Sequence, residues 1–289
     1  MKKILITGGS GMVGYNLLRN YHKKFELFSL YNKNISDFDG ITHIQVDITD
    51  KKQVLGLKDI NPDIIIHCAA LTKISKCENN SELANDINVK GTSNIRDLAH
   101  TVNAKLVYIS TDAVFDGGKG NYSEKDITNP KTVYGKTKLM GEKVCLEYPN
   151  SLVIRTNVFG ESHMTGRCGF VDDLITSLSN GKKYGAYSNV EFSPIYVGFM
   201  AKIILDMVSL DARGVFNIAL SKLSKFDFAN VVAEVFGYNA DLVENVISKD
   251  KMNLTLNNKK MVDFLKIEKI PTIKEMLVDF RNQYSKNFI

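Results

Sequence analysis

Apolar residues follow two rhythms along the chain. Short, nearly continuous runs, many of them β-branched, occur at Lys3–Thr7, at Phe25–Leu30 and within THIQVDITD (42–50) and NPDIIIHCAALT (61–72). Three more follow at LVYIS (106–110), SLVIRTNVFG (151–160) and GVFNIA (214–219). Their length and content predict buried strands. Between them, apolar residues recur at helical spacing in YNLLRNYHKK, KKQVLGLKDI, SELANDINVKGTSNIRDLAHTVN and YGKTKLMGEKVCLEY. Strand and helix in alternation predict an α/β fold built on a doubly wound parallel sheet. After residue 160 the pattern loosens. Helices are predicted at Gly169–Ser179, at Val197–Val208 and in SKFDFANVVAEVFG, which Ser224 or Asp227 would cap. Two closing helices are predicted at Lys259–Leu265 and Thr272–Tyr284. No repeat, low-complexity tract or long linker sets this region apart, so it should pack against the first and leave a substrate cleft between them.

Ligands of doubly wound sheets bind beyond the carboxyl ends of the strands, and three stretches with chemistry fall at such ends. The first is Gly8-Gly9-Ser10-Gly11-Met12-Val13-Gly14, between a strand and a helix. That context is what a Rossmann dinucleotide fingerprint requires. Its glycines allow a tight turn, bring backbone amides to a pyrophosphate at the helix N-terminus and, at Gly14, let helix and strand pack closely. The second strand is followed by Tyr31-Asn32-Lys33-Asn34, with no acid to take the ribose hydroxyls of NAD. Lys33 suits the 2′-phosphate of NADP(H), which is therefore expected ahead of NAD(H); a solvated surface lysine is the alternative. Asp47 reads either as an acceptor for an adenine amino group or as a helix cap.

The second stretch is Cys68-Ala69-Ala70, small residues past which backbone can approach a cofactor. Cys68 reads as packing rather than nucleophile. Asn88 falls mid-helix, where its amide is unfavourable unless it bonds something. The third stretch is Ser110-Thr111-Asp112, followed after a Gly-rich connection by Tyr134 and Lys138. These last two are four apart and share a helix face. A phenol is a poor acid or base near neutrality, its ordinary pKa being about 10, but an ammonium close by would lower it into working range.

Composition narrows the classes. The 289 residues carry 44% hydrophobic and 24% charged residues, ordinary for a globular chain with ample core. The net charge of +5 is spread without a basic block, and no nucleic-acid module accompanies it. Cys68, Cys77, Cys145 and Cys168 form no CxxC and the five histidines no ligand pair, so free thiols and no metal are expected. Without a secretory segment or a run of about 20 apolar residues, a cytoplasmic protein away from membranes is expected.

Taken together, these residues resemble the extended short-chain dehydrogenase/reductase superfamily. Within it, ISTDAVFDG followed by NPKTVYGKTKLMGEK, with HCAALTKISKCE, is similar to the dTDP-4-dehydrorhamnose reductase group. The resemblance spans the chain and is densest over the first 160 residues. It implies a Rossmann domain (1–160 plus about 190–220) and a smaller C-terminal substrate-binding domain (about 161–189 plus 221–289). It also implies NAD(P)H-dependent reduction of the 4-keto group of a nucleotide-linked deoxysugar. Tyr134 would be the general acid, Lys138 would hold the nicotinamide ribose, and Thr111, with Ser110 beside it, would orient the carbonyl. Gly8, Ser10, Gly11, Met12, Val13 and Gly14 would cradle the pyrophosphate. Asp47 and Ile48 would flank adenine, and Cys68, Ala69 and Ala70 would line the cofactor's far half. Asp112 and Asn157 would meet the sugar.

The group usually has Tyr where Ala113 stands and Trp in the segment corresponding to RTNVFG. There, Asn157-Val158-Phe159-Gly160, with SPIYV at 193–197, is closer to related epimerases and GDP-fucose synthases. A sugar-nucleotide epimerase or epimerase/reductase is thus an alternative. GDP-fucose-synthase-like enzymes need an added acid/base pair, for which His163 and Cys168 are candidates by position, loop residues without function being the other reading. So is a non-catalytic binding role like that of the methionine adenosyltransferase regulatory subunit. Relatives pair the helices of Asn88 and Tyr134 across dimers, which implies a homodimer.

Overall fold

All seven predicted strands meet in one parallel sheet, in a computed structural model that describes residues 1–35, 38–161, 169–220 and 222–284. They are β1 (Lys3–Thr7), β2 (Glu26–Tyr31), β3 (Thr42–Gln45), β4 (Ile64–His67), β5 (Lys105–Ile109), β6 (Ser151–Arg155) and β7 (Gly214–Asn217). The sheet order is β7-β6-β5-β4-β1-β2-β3, with every pairing parallel. The chain therefore starts mid-sheet at β1, winds out to β3, then returns to β4 and winds the other way. That reversal opens a crevice between β1 and β4 at their carboxyl ends.

Alternating side chains divide the core between the two faces. Ile4, Ile6, Ile64, Ile66 and Val107 point to one side, while Leu5, Ile65, Leu106 and Tyr108 point to the other. The first side continues without interruption into the C-terminal region, through Leu174, Phe192, Phe228 and Phe280. The later half of the chain is thus packed onto the sheet through one shared apolar core.

Four helices carry the argument that follows: α1 (Met12–Tyr21), α2 (Gly91–Thr101), α3 (Val133–Leu146) and α4 (Lys225–Phe236). Ser224 caps α4 as expected, its hydroxyl accepting from Asp227 N–H while Asp227 reaches back to it. Two elements differ from their sequence reading. The long helix expected from residue 81 runs through a π turn at Asp86–Lys90 before α2. The run 151–160 does not stay in one strand either. It leaves the main sheet at Thr156, and Asn157–Phe159 pairs in parallel with Pro194–Tyr196.

The connection between β5 and α3 is tied down from far along the chain. Tyr122 N–H donates to the Thr255 carbonyl and Asn257 N–H to the Tyr122 carbonyl, both at 2.8 Å. Asn253 N–H donates to the Gly117 carbonyl at 2.8 Å, and Phe115 and Tyr122 stack with ring centroids 4.2 Å apart. Among the described residues no helix is long and apolar enough to cross a membrane.

Candidate active site

The glycine turn is shaped by close approach. Gly8 has φ +68°, a left-handed conformation that favours glycine, and a side chain there would meet the backbone of Ala69 at 2.8 Å. A Cβ on Gly14 would lie 2.3 Å from the Gly8 carbonyl, so only glycine lets α1 rise directly from the turn. α1 starts at Gly11 with no side-chain cap and no acid in its first turn. Its first N–H groups and dipole face the crevice, a fit for an anionic pyrophosphate.

Behind the turn lies a closed relay of hydrogen bonds. Thr7 Oγ1 accepts from Cys68 N–H at 3.1 Å and Ala69 N–H at 3.0 Å, and lies 2.7 Å from His67 Nδ1. His67 Nε2 lies 3.0 Å from Thr92 Oγ1, which donates to the Asn88 carbonyl at 2.7 Å. The donors balance with a neutral imidazole whose Nε2 carries the hydrogen: Thr7 donates to Nδ1 and Nε2 donates to Thr92. Burial pushes His67 down to about 3, which keeps it neutral. Asn88 sits in the π turn and finds the partners its sequence position demanded. Its Oδ1 accepts from Leu71 N–H at 2.8 Å and its Nδ2 donates to Thr137 Oγ1 at 3.0 Å. The π turn, then, aims this amide at the loop after β4 and at α3.

Tyr134 and Lys138 lie one turn apart on α3, above the end of β5. Lys138 is buried, donates to the Ile109 carbonyl at 2.7 Å and lies 4.0 Å from the centroid of the Tyr108 ring. Burial pushes its ammonium down to about 8. The phenol does not behave as the sequence suggested. Burial pushes Tyr134 up to about 12, against the opposing pull of the Thr111 hydroxyl, and the charge of Asp112 adds to the rise. The expected lowering is absent because desolvation dominates and the charge of Asp112 opposes the phenolate as well. Tyr134 therefore holds its proton firmly at neutral pH.

Thr111 and Asp112, both buried, continue the site beyond β5. Thr111 Oγ1 accepts from Ala113 N–H and donates to Asp112 Oδ1, each at 3.1 Å. Asn157 Nδ2 donates to Asp112 Oδ2 at 2.7 Å, joining two residues that the sequence linked only by resemblance. Burial raises the Asp112 carboxyl above its ordinary range. Ser110 faces the other way, donating to Glu142 Oε1 at 2.5 Å. Glu142 also accepts two-pronged bonds from Arg155, at 2.8 and 3.0 Å, in a fully buried ion pair beneath the site.

Other predicted positions fall around the crevice. Asp47 Oδ1 accepts from Thr49 N–H at 2.9 Å and closes a local turn, whereas the next helix is capped by Asp50 instead. The Ile48 carbonyl accepts from Asn94 at 2.8 Å, and Lys33 is exposed beyond β2. Burial pushes the Cys68 thiol up to about 12, where it is no nucleophile. His163 and Cys168 lie outside the described residues.

One residue the sequence reading passed over is Lys225. It lines a cleft with Met12, Asn157, Phe170, Phe192 and Phe228. The available signal was a base in the first turn of a helix, where it opposes the helix dipole.

A family model described as the RmlD substrate binding domain matches residues 1–273. The probable low-salt glycan biosynthesis reductase Agl14 of Haloferax volcanii is 30% identical over 252 residues, covering 85% of this chain and 84% of that protein. A dTDP-4-dehydrorhamnose reductase of Aggregatibacter actinomycetemcomitans is 32% identical over 213 residues, 72% of this chain and 67% of its own. The crystal structure of dTDP-4-dehydrorhamnose reductase from Bacillus anthracis in complex with NADP aligns with TM-score 0.85 at 26% identity. It covers 98% of this chain and 100% of that one.

Proposed function

Because this chain belongs to the RmlD substrate binding domain family, we propose that it is an NAD(P)H-dependent oxidoreductase reducing the 4-keto group of a nucleotide-linked deoxysugar. The observation that carries the reading is the convergence of Thr111, Tyr134 and Lys138 beside the glycine turn at one edge of the sheet. Bound NAD(P)H supplies the hydride.

The protein's part is to orient and to protonate. Tyr134, loaded with its proton, gives it to the oxygen that becomes an alkoxide, a far stronger base than a phenolate. A firmly held phenolic proton suits an acid that acts only once that charge develops. Lys138 keeps a positive charge one helical turn from the phenolate that remains. The Thr111 hydroxyl, now bonded to Asp112, exchanges that partner for the substrate carbonyl, while Asn157 holds the Asp112 carboxylate in place. Asp112 and Asn157 are then free to meet sugar hydroxyls with their remaining valences. The retained Tyr134 and Lys138 speak against a purely binding role.

Tyr134→Phe removes the proton and little else. With a 4-keto-sugar nucleotide and NADPH, turnover should fall by roughly 10²- to 10⁴-fold, with NADPH affinity unchanged by fluorescence titration. Near-normal turnover in this variant would refute the assignment.

A further inference from the structure

The cleft beside the reacting residues contains a cation with no anion. Lys225 Nζ lies 3.3 Å from the centroid of Phe192 and 4.4 Å from that of Phe170. Among the described residues it has no carboxylate within ion-pair distance and no hydrogen-bond acceptor. Ring faces attract an ammonium, but they replace its lost hydration only in part.

The acids nearby are otherwise engaged. Asp112 attracts Lys225 across the cleft, yet its two oxygens already accept from Thr111 and Asn157. Asp172 lines the same cleft and accepts from Gly169 N–H at 3.0 Å. Glu161 pairs with Arg19. Burial pushes the Lys225 ammonium down to about 8, and Asp112 draws it partly back. A charge kept half-dry without a partner is costly, and an arriving anion would relieve that cost.

We infer that Lys225 takes the diphosphate of the sugar nucleotide and so fixes how far the sugar reaches toward Thr111 and Tyr134. This rests on the reductase reading above and names the residue that would read the substrate's charge. A nucleotide-linked neutral sugar carries its charge on the diphosphate at C1, one ring's width from the keto carbon at C4. Lys225 shares its cleft with Asn157, which bonds Asp112, and its charge is felt at Asp112, the neighbour of Thr111. The walls formed by Phe170, Phe192 and Phe228 exclude water and strengthen the attraction. The cofactor's own diphosphate is the other source of the same chemistry, since Met12 at the start of α1 also lines the cleft.

The test titrates the full chain with dTDP and UDP by calorimetry and, separately, with NADPH by fluorescence. Wild type should bind a nucleoside diphosphate. Lys225→Met should weaken that binding roughly 10- to 100-fold and Lys225→Arg by less than about threefold, with NADPH affinity unchanged in both. With a keto-sugar nucleotide, KM should rise in the Met variant while kcat changes little. Wild-type affinity should fall between pH 8 and 9.5 as the lysine discharges, whereas the Arg variant should hold.

The proposal is overturned if the Met variant binds dTDP and UDP normally, if the loss falls on NADPH instead, or if wild type binds neither diphosphate. It is also overturned if Arg loses as much affinity as Met, which would mark a packing role. Binding needs no turnover, so Lys225-dependent affinity alongside an active Tyr134→Phe variant would sink the reductase reading and leave this site standing.

Discussion

The two sides of the crevice are built on opposite terms. On the side proposed to hold the cofactor, most buried polar groups are matched to one another inside the protein, with Ser29 Oγ and Arg155 Nη1 left over. Thr7, His67, Thr92, Asn88 and Thr137 run in an unbroken line of hydrogen bonds from β1 to α3, and Ser110, Glu142 and Arg155 close the floor beneath. On the side proposed to take the substrate, Lys225 has, among the described residues, aromatic faces and no paired anion, and Thr111 would trade Asp112 for the substrate carbonyl. The first side is largely satisfied within the protein; the second, in the proposed reading, would be completed by what binds. In that reading, a matched network would hold the cofactor, and the unmatched charge would answer to the diphosphate that sugar nucleotides share.

The largest expected effect comes from breaking the matched side. Glu142→Gln leaves Arg155 charged and buried without its counter-ion, and should cost roughly 3–5 kcal/mol of stability by urea denaturation. Asp172→Asn on the unmatched side should cost less than about 1 kcal/mol, and equal losses would erase the distinction.

The next effect is set by pH. Folding lowers His67 from 6.5 to about 3, so between those values the unfolded chain binds more protons. The contribution of this group is therefore intact above about pH 6.5 and is lost as pH falls toward 3. The loss from pH 6.5 to 4.5 should be roughly 2–3 kcal/mol. His67→Gln should flatten that slope, and an unchanged slope would place the acid sensitivity elsewhere.

The smallest concerns a lysine outside both networks. Lys33→Ala should reduce the preference for NADPH over NADH by about tenfold, near 1.4 kcal/mol, as read from the two KM values. No change would return Lys33 to the role of a solvated surface residue.

The same contrast governs what the sequence made legible. Gly8 to Gly14 and the Tyr134–Lys138 pair are local patterns whose chemistry follows from spacing along one turn or one helix. Asn88 could be marked as needing a partner, although not that a π turn would supply its aim. The cluster of Asp112, Asn157, Phe170, Phe192 and Lys225 is assembled from residues up to 113 positions apart, and no local periodicity announces such a meeting. The acidity of Tyr134 was misjudged for a related reason. Spacing reveals a lysine one turn away, whereas the desolvation that sets the phenol's acidity belongs to the packed interior.

The strap between β5 and α3 has a consequence for how the molecule is made. Its anchors, Asn253, Thr255 and Asn257, are synthesised some 130 residues after Tyr122, the tyrosine they steady. A nascent chain can carry the complete glycine turn and the Tyr–Lys helix while the segment bearing Tyr122 still lacks its moorings. Competence would then wait until residues 253–257 leave the ribosome and lace the earlier part shut.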